Sequence, residues 1–340
     1  MENTKKSNAL VILGPTSSGK SDVAIRLAKK FNGEIISADS RQIYRGMDIG
    51  TGKVEPDYPD EIPKKFSNRK FPSGFHRKKK IFISAGIVHY MIDIVSPKTR
   101  FSAAQFKKRA NRIISDIIKR RKLPIICGGT GFWIKAIVDN VTYPEVKPDW
   151  KLRKELNKKT AQELLKMLKK LDSRRAKNID KNNKVRLIRA IEICKSIGNV
   201  PALICNSELV SGSNKMLKRV WHEKQYEFLQ IGVNLSKEQL HKNIRKRLKK
   251  RFQSGMIEEV NKLRKQGLSW KKIQSFGLGY FWIPEFLKGK IASKQELFEK
   301  IYSAEKDYAK RQMTWFQKDQ RIKWIEKYKD IEKEAKLFLK

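Results

Sequence analysis

The 340-residue chain is poor in acid, histidine and cysteine. Its three cysteines, Cys127, Cys194 and Cys205, have no paired or metal-like spacing. That excludes a disulfide scaffold and fits buried thiols in a reducing cytoplasm. Four unclustered histidines argue against a zinc site. No apolar run is long enough to span a membrane, and the N-terminus enters an apolar strand at once, without the apolar region of a signal peptide. Asp and Glu number 35 against 77 Lys and Arg, a net charge of +42, far beyond what solubility needs. One reading of that imbalance is a polyanionic partner, above all nucleic acid. The other is an AT-rich genome, whose codons favour Lys, Asn and Ile. Because lysine is spread along the whole chain, both apply.

What is present is organised around Gly14-Pro15-Thr16-Ser17-Ser18-Gly19-Lys20-Ser21. An apolar run, Ala9–Leu13, precedes it and reads as a buried strand. Ala24, Leu27, Ala28 and Phe31 follow at helical spacing. Strand, glycine-bounded loop, Lys-Ser and helix form the context that a nucleotide- or ATP-binding phosphate loop requires. Glycines let the backbone curl so that N–H groups point inward, and the helix N-terminus adds its dipole. Lys20 supplies a point charge and the Ser21 hydroxyl is a ligand for Mg²⁺.

Glu34–Ala38 is a second strand, ending at Asp39-Ser40-Arg41-Gln42. Polar residues at a strand's C-terminal end mark the ligand side of a doubly wound sheet. Asp39 there is a base, a metal ligand or a helix N-cap. Arg45–Gly52 reads as a loop, His89–Val95 as a third strand, and Ser102 with Gln105 as a capping box starting a helix. Leu123–Cys127 is a fourth strand, with Gly128-Gly129-Thr130-Gly131 turning at its end. A nucleotide hydrolase commonly carries an acidic residue there, and this chain has Gly and Thr. Phe228–Leu235 returns as a strand, Ser236 and Gln239 suggest a second capping box, residues 294–318 a long helix, and Arg321–Glu326 a last strand. The expected fold is α/β, a P-loop doubly wound parallel sheet with an inserted all-helical domain. The expected divisions are a core at 1–143 with a proline-rich basic insertion at 55–85, a helical insertion at 144–212, a return to the core at 213–327, and a charged, helical tail at 328–340. Trp133, Trp315 and Phe316 read as core.

In combination these runs resemble the tRNA dimethylallyltransferase family. The carriers are Gly14–Ser21, Ser37–Lys53, Phe101–Phe106, Gly128–Gly131, Arg186–Glu192 and Ala309–Phe316. The phosphate loop alone is generic, and its combination with the second and last runs is specific. The resemblance implies transfer of a dimethylallyl group from dimethylallyl diphosphate to the exocyclic amine of the adenosine 3′ to the anticodon, position 37, in tRNAs reading codons that begin with U. It implies Asp39 as base, Thr130 as hydrogen-bond donor near the reacting amine, and Arg247 with Lys20 neutralising diphosphate. For Arg247, a solvated helix face is the competing reading. It implies contacts to the tRNA anticodon stem-loop from Asp39, Ser40, Arg41, Gln42, Thr130, Arg153, Arg186, Arg189, Lys310, Arg311 and Gln312. A cytoplasmic monomer using Mg²⁺ is expected. The 55–85 insertion, Phe281-Trp282 and Asn182–Val185 depart from the family pattern. A P-loop kinase acting on RNA or a nucleotide is the rival reading.

Overall fold

The computed structural model describes residues 7–58, 82–200 and 226–340. Most of the 55–85 insertion, Cys205 and the 207–214 boundary stretch lie outside them. The described residues form two compact units, 139–200 being the second.

The first unit is built on strand β1 (Ser7–Leu13). Its side chains alternate between two cores: Leu10 and Ile12 face one apolar cluster, Ala9, Val11 and Leu13 the other, and all five are fully buried. Helix α1 (Lys20–Lys30) follows the phosphate loop and buries Ala24, Leu27 and Ala28. Strands β2 (Gly33–Ser37), β3 (Phe82–Ser84) and β4 (Ile87–Tyr90) come next, then helix α2 (Ala103–Lys119), β5 (Leu123–Gly128) and α3 (Gly131–Val138). The seven-stranded sheet has the order β3-β4-β2-β5-β1-β6-β7, where β6 is Tyr226–Val233 and β7 is Ile322–Ile325. Every pairing is parallel except β3 with β4. Because β5 lies between β2 and β1, the loops after all three strands meet at one edge, as the sequence predicts. β1 has continuous parallel partners on both sides, which fits its uninterrupted apolar run.

The expected strand His89–Val95 is shorter. Met91 and Asp93 take left-handed backbone (φ 65° and 53°), which ends the extended run. Val95 instead makes an isolated bridge with Tyr44. The β3–β4 hairpin, which the sequence reading missed, turns on Ala85-Gly86, both at positive φ.

The second unit holds α4 (Trp150–Leu156), α5 (Ala161–Leu171), α6 (Ser173–Lys177) and α7 (Lys184–Ile197). Leu164, Leu168, Leu187 and Ile191 form its fully buried centre. Asp172 ties two segments together: one oxygen caps α6 at Arg175 N (2.8 Å), and the other accepts from Val200 N (3.0 Å).

Back in the first unit, α8 (Lys237–Gln253), α9 (Met256–Lys265), α10 (Trp270–Gln274), α11 (Gly279–Leu287) and α12 (Lys294–Phe316) follow β6. Both capping signals are used differently. Ser102 and Gln105 make the reciprocal box, whereas Ser236 caps Gln239 N and the Gln239 side chain turns to Asn243. The last element, α13 (Tyr328–Leu339), is helical as expected but is no loose tail. Ile331 and Ala335 are fully buried, and Asn8 Nδ2 donates to Phe338 O at 2.8 Å. Among the described residues no helix is long and apolar enough to cross a membrane.

Candidate active site

The phosphate loop leaves β1 at Gly14, whose φ of +153° and tight surroundings exclude a side chain: a Cβ there would lie 2.9 Å from Ser18 Oγ and 3.2 Å from Val233 O. Ser17 takes φ 63°, curling the loop as an anion cradle requires. The Ser17 and Ser18 hydroxyls are buried and lack a hydrogen-bond partner. Buried hydroxyls without partners are costly unless a ligand completes them. Lys20 Nζ reaches Pro15 O at 3.1 Å. Burial pushes this amine below the ordinary lysine range and the Arg247 charge adds to that, while Cys127 and Asp39 oppose it. Arg247, on α8, is lowered first by burial and then by Arg251. Cations desolvated this close together repel one another and call for an anion between them.

Arg247 is fixed on two sides. Its Nη2 donates to Gly52 O at 2.6 Å and its Nη1 to Thr16 Oγ1 at 3.3 Å. A Cβ on Gly52 would lie 2.0 Å from Nη2, so this close approach needs glycine. The solvated-face reading of Arg247 is therefore set aside.

Asp39 caps a turn rather than a helix and stays on the cavity wall. Its Oδ1 accepts from Arg41 N (2.8 Å) and Gln42 N (3.4 Å), a turn cap, while the residue still lines the cavity with Lys20 and Arg247. Thr130 Oγ1 accepts from Ser40 N at 3.0 Å, and Thr130 N donates to Ala38 O at 3.1 Å. These two bonds lock the loops after β2 and β5 together. Gly128 permits it, since a Cβ there would lie 2.3 Å from Ala38 O. The cavity that the loops enclose is about 490 Å³ and is lined by Thr16, Lys20, Ser21, Asp39, Arg247 and Gln312 among others. A second cavity of about 810 Å³ shares Gly52, Lys53, Arg247 and Arg251 with it.

The residues assigned to RNA by resemblance fall into three groups. Arg41 donates to Phe276 O (2.6 Å) and lies over the Tyr308 ring, and Gln42 sits between Ser37 and Gly52, so both brace the cavity wall. Lys310 and Arg311 are exposed on α12. Gln312 is 6% exposed and bonded on both ends of its amide, to Thr16 N and Gly129 O, which leaves it no surface for RNA phosphate. In the second unit Arg186 is exposed, 3.9 Å from Asp180. Arg153 and Arg189 instead converge on buried Glu192: Arg153 binds it through two nitrogens, at 2.7 and 2.6 Å, and Arg189 through Nη1. These pairings pull the Glu192 carboxyl below its usual range against its burial. Trp133 and Phe316 are core, whereas Trp315 is 40% exposed, its ring lying over Gly131.

Sequence reasoning missed Glu259 and Arg251. Glu259 is buried on α9 and accepts from Asp48 N (2.6 Å), Ile49 N (2.7 Å), Gly50 N (3.1 Å) and the Tyr280 hydroxyl (2.7 Å). Arg251 donates to Gly50 O at 3.0 Å and pairs with buried Glu305. Together they pin the 48–52 loop that holds Arg247. A signal existed: Glu259 interrupts the apolar stripe of Met256, Val260 and Leu263, as Glu305 does between Ile301 and Ala309.

Fold and site define a phosphate-loop α/β protein with its cavity at the C-terminal edge of the sheet. The chain matches the family described as IPP transferase over residues 77–319, and that described as isopentenyl transferase over 7–66. A relative in Acetivibrio thermocellus named tRNA dimethylallyltransferase is 38% identical, with 94% of this chain and 92% of the relative covered. The solved tRNA isopentenylpyrophosphate transferase of Bacillus halodurans matches with TM-score 0.64 and 29% identity, covering 98% and 97% of the two chains. The corresponding Staphylococcus epidermidis structure matches with TM-score 0.60 and 33% identity over 98% of each chain. The chain belongs to the IPP transferase family, the tRNA prenyltransferases.

Proposed function

We propose that this protein transfers the dimethylallyl group of dimethylallyl diphosphate to the exocyclic amine of the adenosine 3′ to the anticodon, position 37, in tRNAs reading codons that begin with U. The observation that carries the reading is the convergence of a phosphate cradle with unpartnered serine hydroxyls, two desolvated cations, Asp39 and Thr130 on one cavity. The diphosphate lies in the loop, with Lys20 and Arg247 drawing off charge as the allylic C–O bond breaks and diphosphate departs. The adenine amine, whose lone pair is delocalised into the ring, forms the new C–N bond and gives its proton to Asp39. Oδ1 of Asp39 accepts from two amides, so Oδ2 is the oxygen assigned to take the proton. The Thr130 hydroxyl orients that amine. A stacked base cannot reach this cavity, so the adenosine must be flipped out of the loop.

The residues present suit Mg²⁺. Ser21, the second residue of α1, lines the cavity beside the cradle and would offer its hydroxyl to the ion. Mg²⁺ of this kind is commonly held by few protein ligands together with substrate phosphates and water. When bound, it would add charge neutralisation for the leaving diphosphate. The protein is taken to work as a cytoplasmic monomer.

The test is one incubation of the protein with Mg²⁺, labelled dimethylallyl diphosphate and unmodified tRNA, with AMP replacing tRNA in a parallel tube. Label enters tRNA and is lost when the adenosine beside the anticodon is changed. No label in tRNA, together with transfer of γ-label from ATP to RNA, would overturn the reading in favour of a kinase.

A further inference from the structure

The geometry points to Gln312 as a positioning residue that sets the spacing between the diphosphate loop and the Thr130 turn. The inference rests on the proposed prenyl transfer. Gln312 lies near the end of α12, the long helix that crosses the cavity, and is almost wholly buried. Both ends of its side-chain amide are engaged. Oε1 accepts from Thr16 N at 2.8 Å, and Nε2 donates to Gly129 O at 2.8 Å. One planar group thus bridges the loops after β1 and β5. Those loops belong to neighbouring strands, but the strand ladder ends at Leu13 and Gly128, so nothing in the ladder fixes what lies beyond.

The bridge is part of a continuous path. Arg247 Nη1 donates to Thr16 Oγ1 (3.3 Å), Thr16 N donates to Gln312, and Gln312 donates to Gly129 O. The next residue is Thr130, whose hydroxyl accepts from Ser40 N (3.0 Å) beside Asp39. Along this path Arg247 and Thr16 on the donor side are joined to Thr130 and Ser40 on the acceptor side by the Gln312 side chain, while Gly52 O links Arg247 to Gln42 separately. Gly129 has to lack a side chain for this: a Cβ there would lie 2.2 Å from Gln312 Nε2. Thr16 N points at Gln312 and so anchors the loop; the cradle is left to the other loop groups. A bimolecular displacement depends on the distance between attacking amine and breaking bond, and a misplacement of about 1 Å can cost about 100-fold in rate.

The test uses the full-length protein with tRNA and dimethylallyl diphosphate. Gln312→Leu removes both hydrogen bonds and is expected to lower kcat about 100-fold, with tRNA affinity in a filter-binding assay within about twofold of the parent, as a group without an RNA contact requires. In a Thr130→Val background the same change is expected to cost less than about threefold, because the hydroxyl it positions is gone. Gln312→Glu covers the case in which the leucine variant does not fold. Its carboxylate still accepts from Thr16 N but has no proton for Gly129 O until it is protonated. The ratio of variant to parent kcat is then expected to rise as pH falls. A loss of tRNA affinity at unchanged kcat, full multiplication of the effects in the double variant, or a flat pH ratio for Gln312→Glu would each overturn the assignment. Normal transfer by the parent with indifferent variants removes only the Gln312 inference. A parent that transfers no prenyl group removes the functional reading and this inference with it.

Discussion

Asp39 holds a turn with one oxygen, and the proposed transfer asks the same carboxylate to act as base. Its Oδ1 holds the backbone of Arg41 and Gln42, so Asp39→Asn keeps an oxygen for that turn while removing the base. This variant is expected to lose about 100- to 10,000-fold in kcat with tRNA binding retained. Steady-state kinetics beside a binding assay check it, and a change of less than tenfold in kcat would remove Asp39 as the base. Glu192 is the contrasting residue. It is 2% exposed and gathers Arg153, Arg189 and Asp149 N. Removing it by Glu192→Ala strands two guanidinium groups and should destabilise the helical unit by roughly 2–3 kcal/mol, a value lowered because both arginines keep some solvent contact. Urea denaturation of parent and variant, followed by circular dichroism, reads it as a shift in midpoint. These two arginines were legible in the sequence as basic residues on helices. Their partner was not, since a glutamate on an amphipathic helix reads as surface until its neighbours in space are known.

At the scale of elements, the sequence signals that worked were those with a local cause. The apolar run of β1, the Ser102–Gln105 box and the apolar spacing of α2 (Phe106, Ala110, Ile113, Ile114, Ile117) depend on neighbours in the chain, and each appears where the pattern put it. Ser102→Ala is expected to cost about 1 kcal/mol, measurable as a shift in the denaturation midpoint. Where the cause is distant, the reading stopped early. The turn at Met91–Asp93 is held partly by Lys53, which is buried and bonds Asp93, Asp48 and Tyr44 O. The 48–52 run was legible as a loop, but the carboxylate that shapes it, Glu259, comes from a helix more than two hundred residues later. Gln312 was read from the sequence as a tRNA contact, and its two hydrogen bonds were not legible, because both partners lie on other loops.

The whole molecule carries two properties that no single element has. The +42 charge predicts tRNA affinity that falls steeply with salt, by about 100-fold between roughly 50 and 200 mM for about four released counterions. A flat response in a binding titration would mark the charge as compositional. The second is acid sensitivity. Burial holds the His89 imidazole neutral, pushing it down to about 4, with Asp57 pulling the other way. The unfolded chain takes up that proton near 6.5. The stabilisation is complete above that value and is lost as pH falls from about 6.5 towards 4, an effect on the order of 3 kcal/mol. His89→Phe should flatten stability across that window in a series of denaturation curves at stepped pH.

The bond from Asn8 to Phe338 spans 330 positions of the chain. β1 is made well before its parallel neighbour β6 and the covering helix α13, which come more than two hundred residues later in the chain. A nascent chain therefore holds its phosphate loop on a strand with one flank bare until β6 has been made. Such a chain exposes apolar edge to chaperones and folds late rather than as it emerges. Nascent chains stalled short of β6 are expected to retain little diphosphate, because β1 then lacks one of its two parallel neighbours.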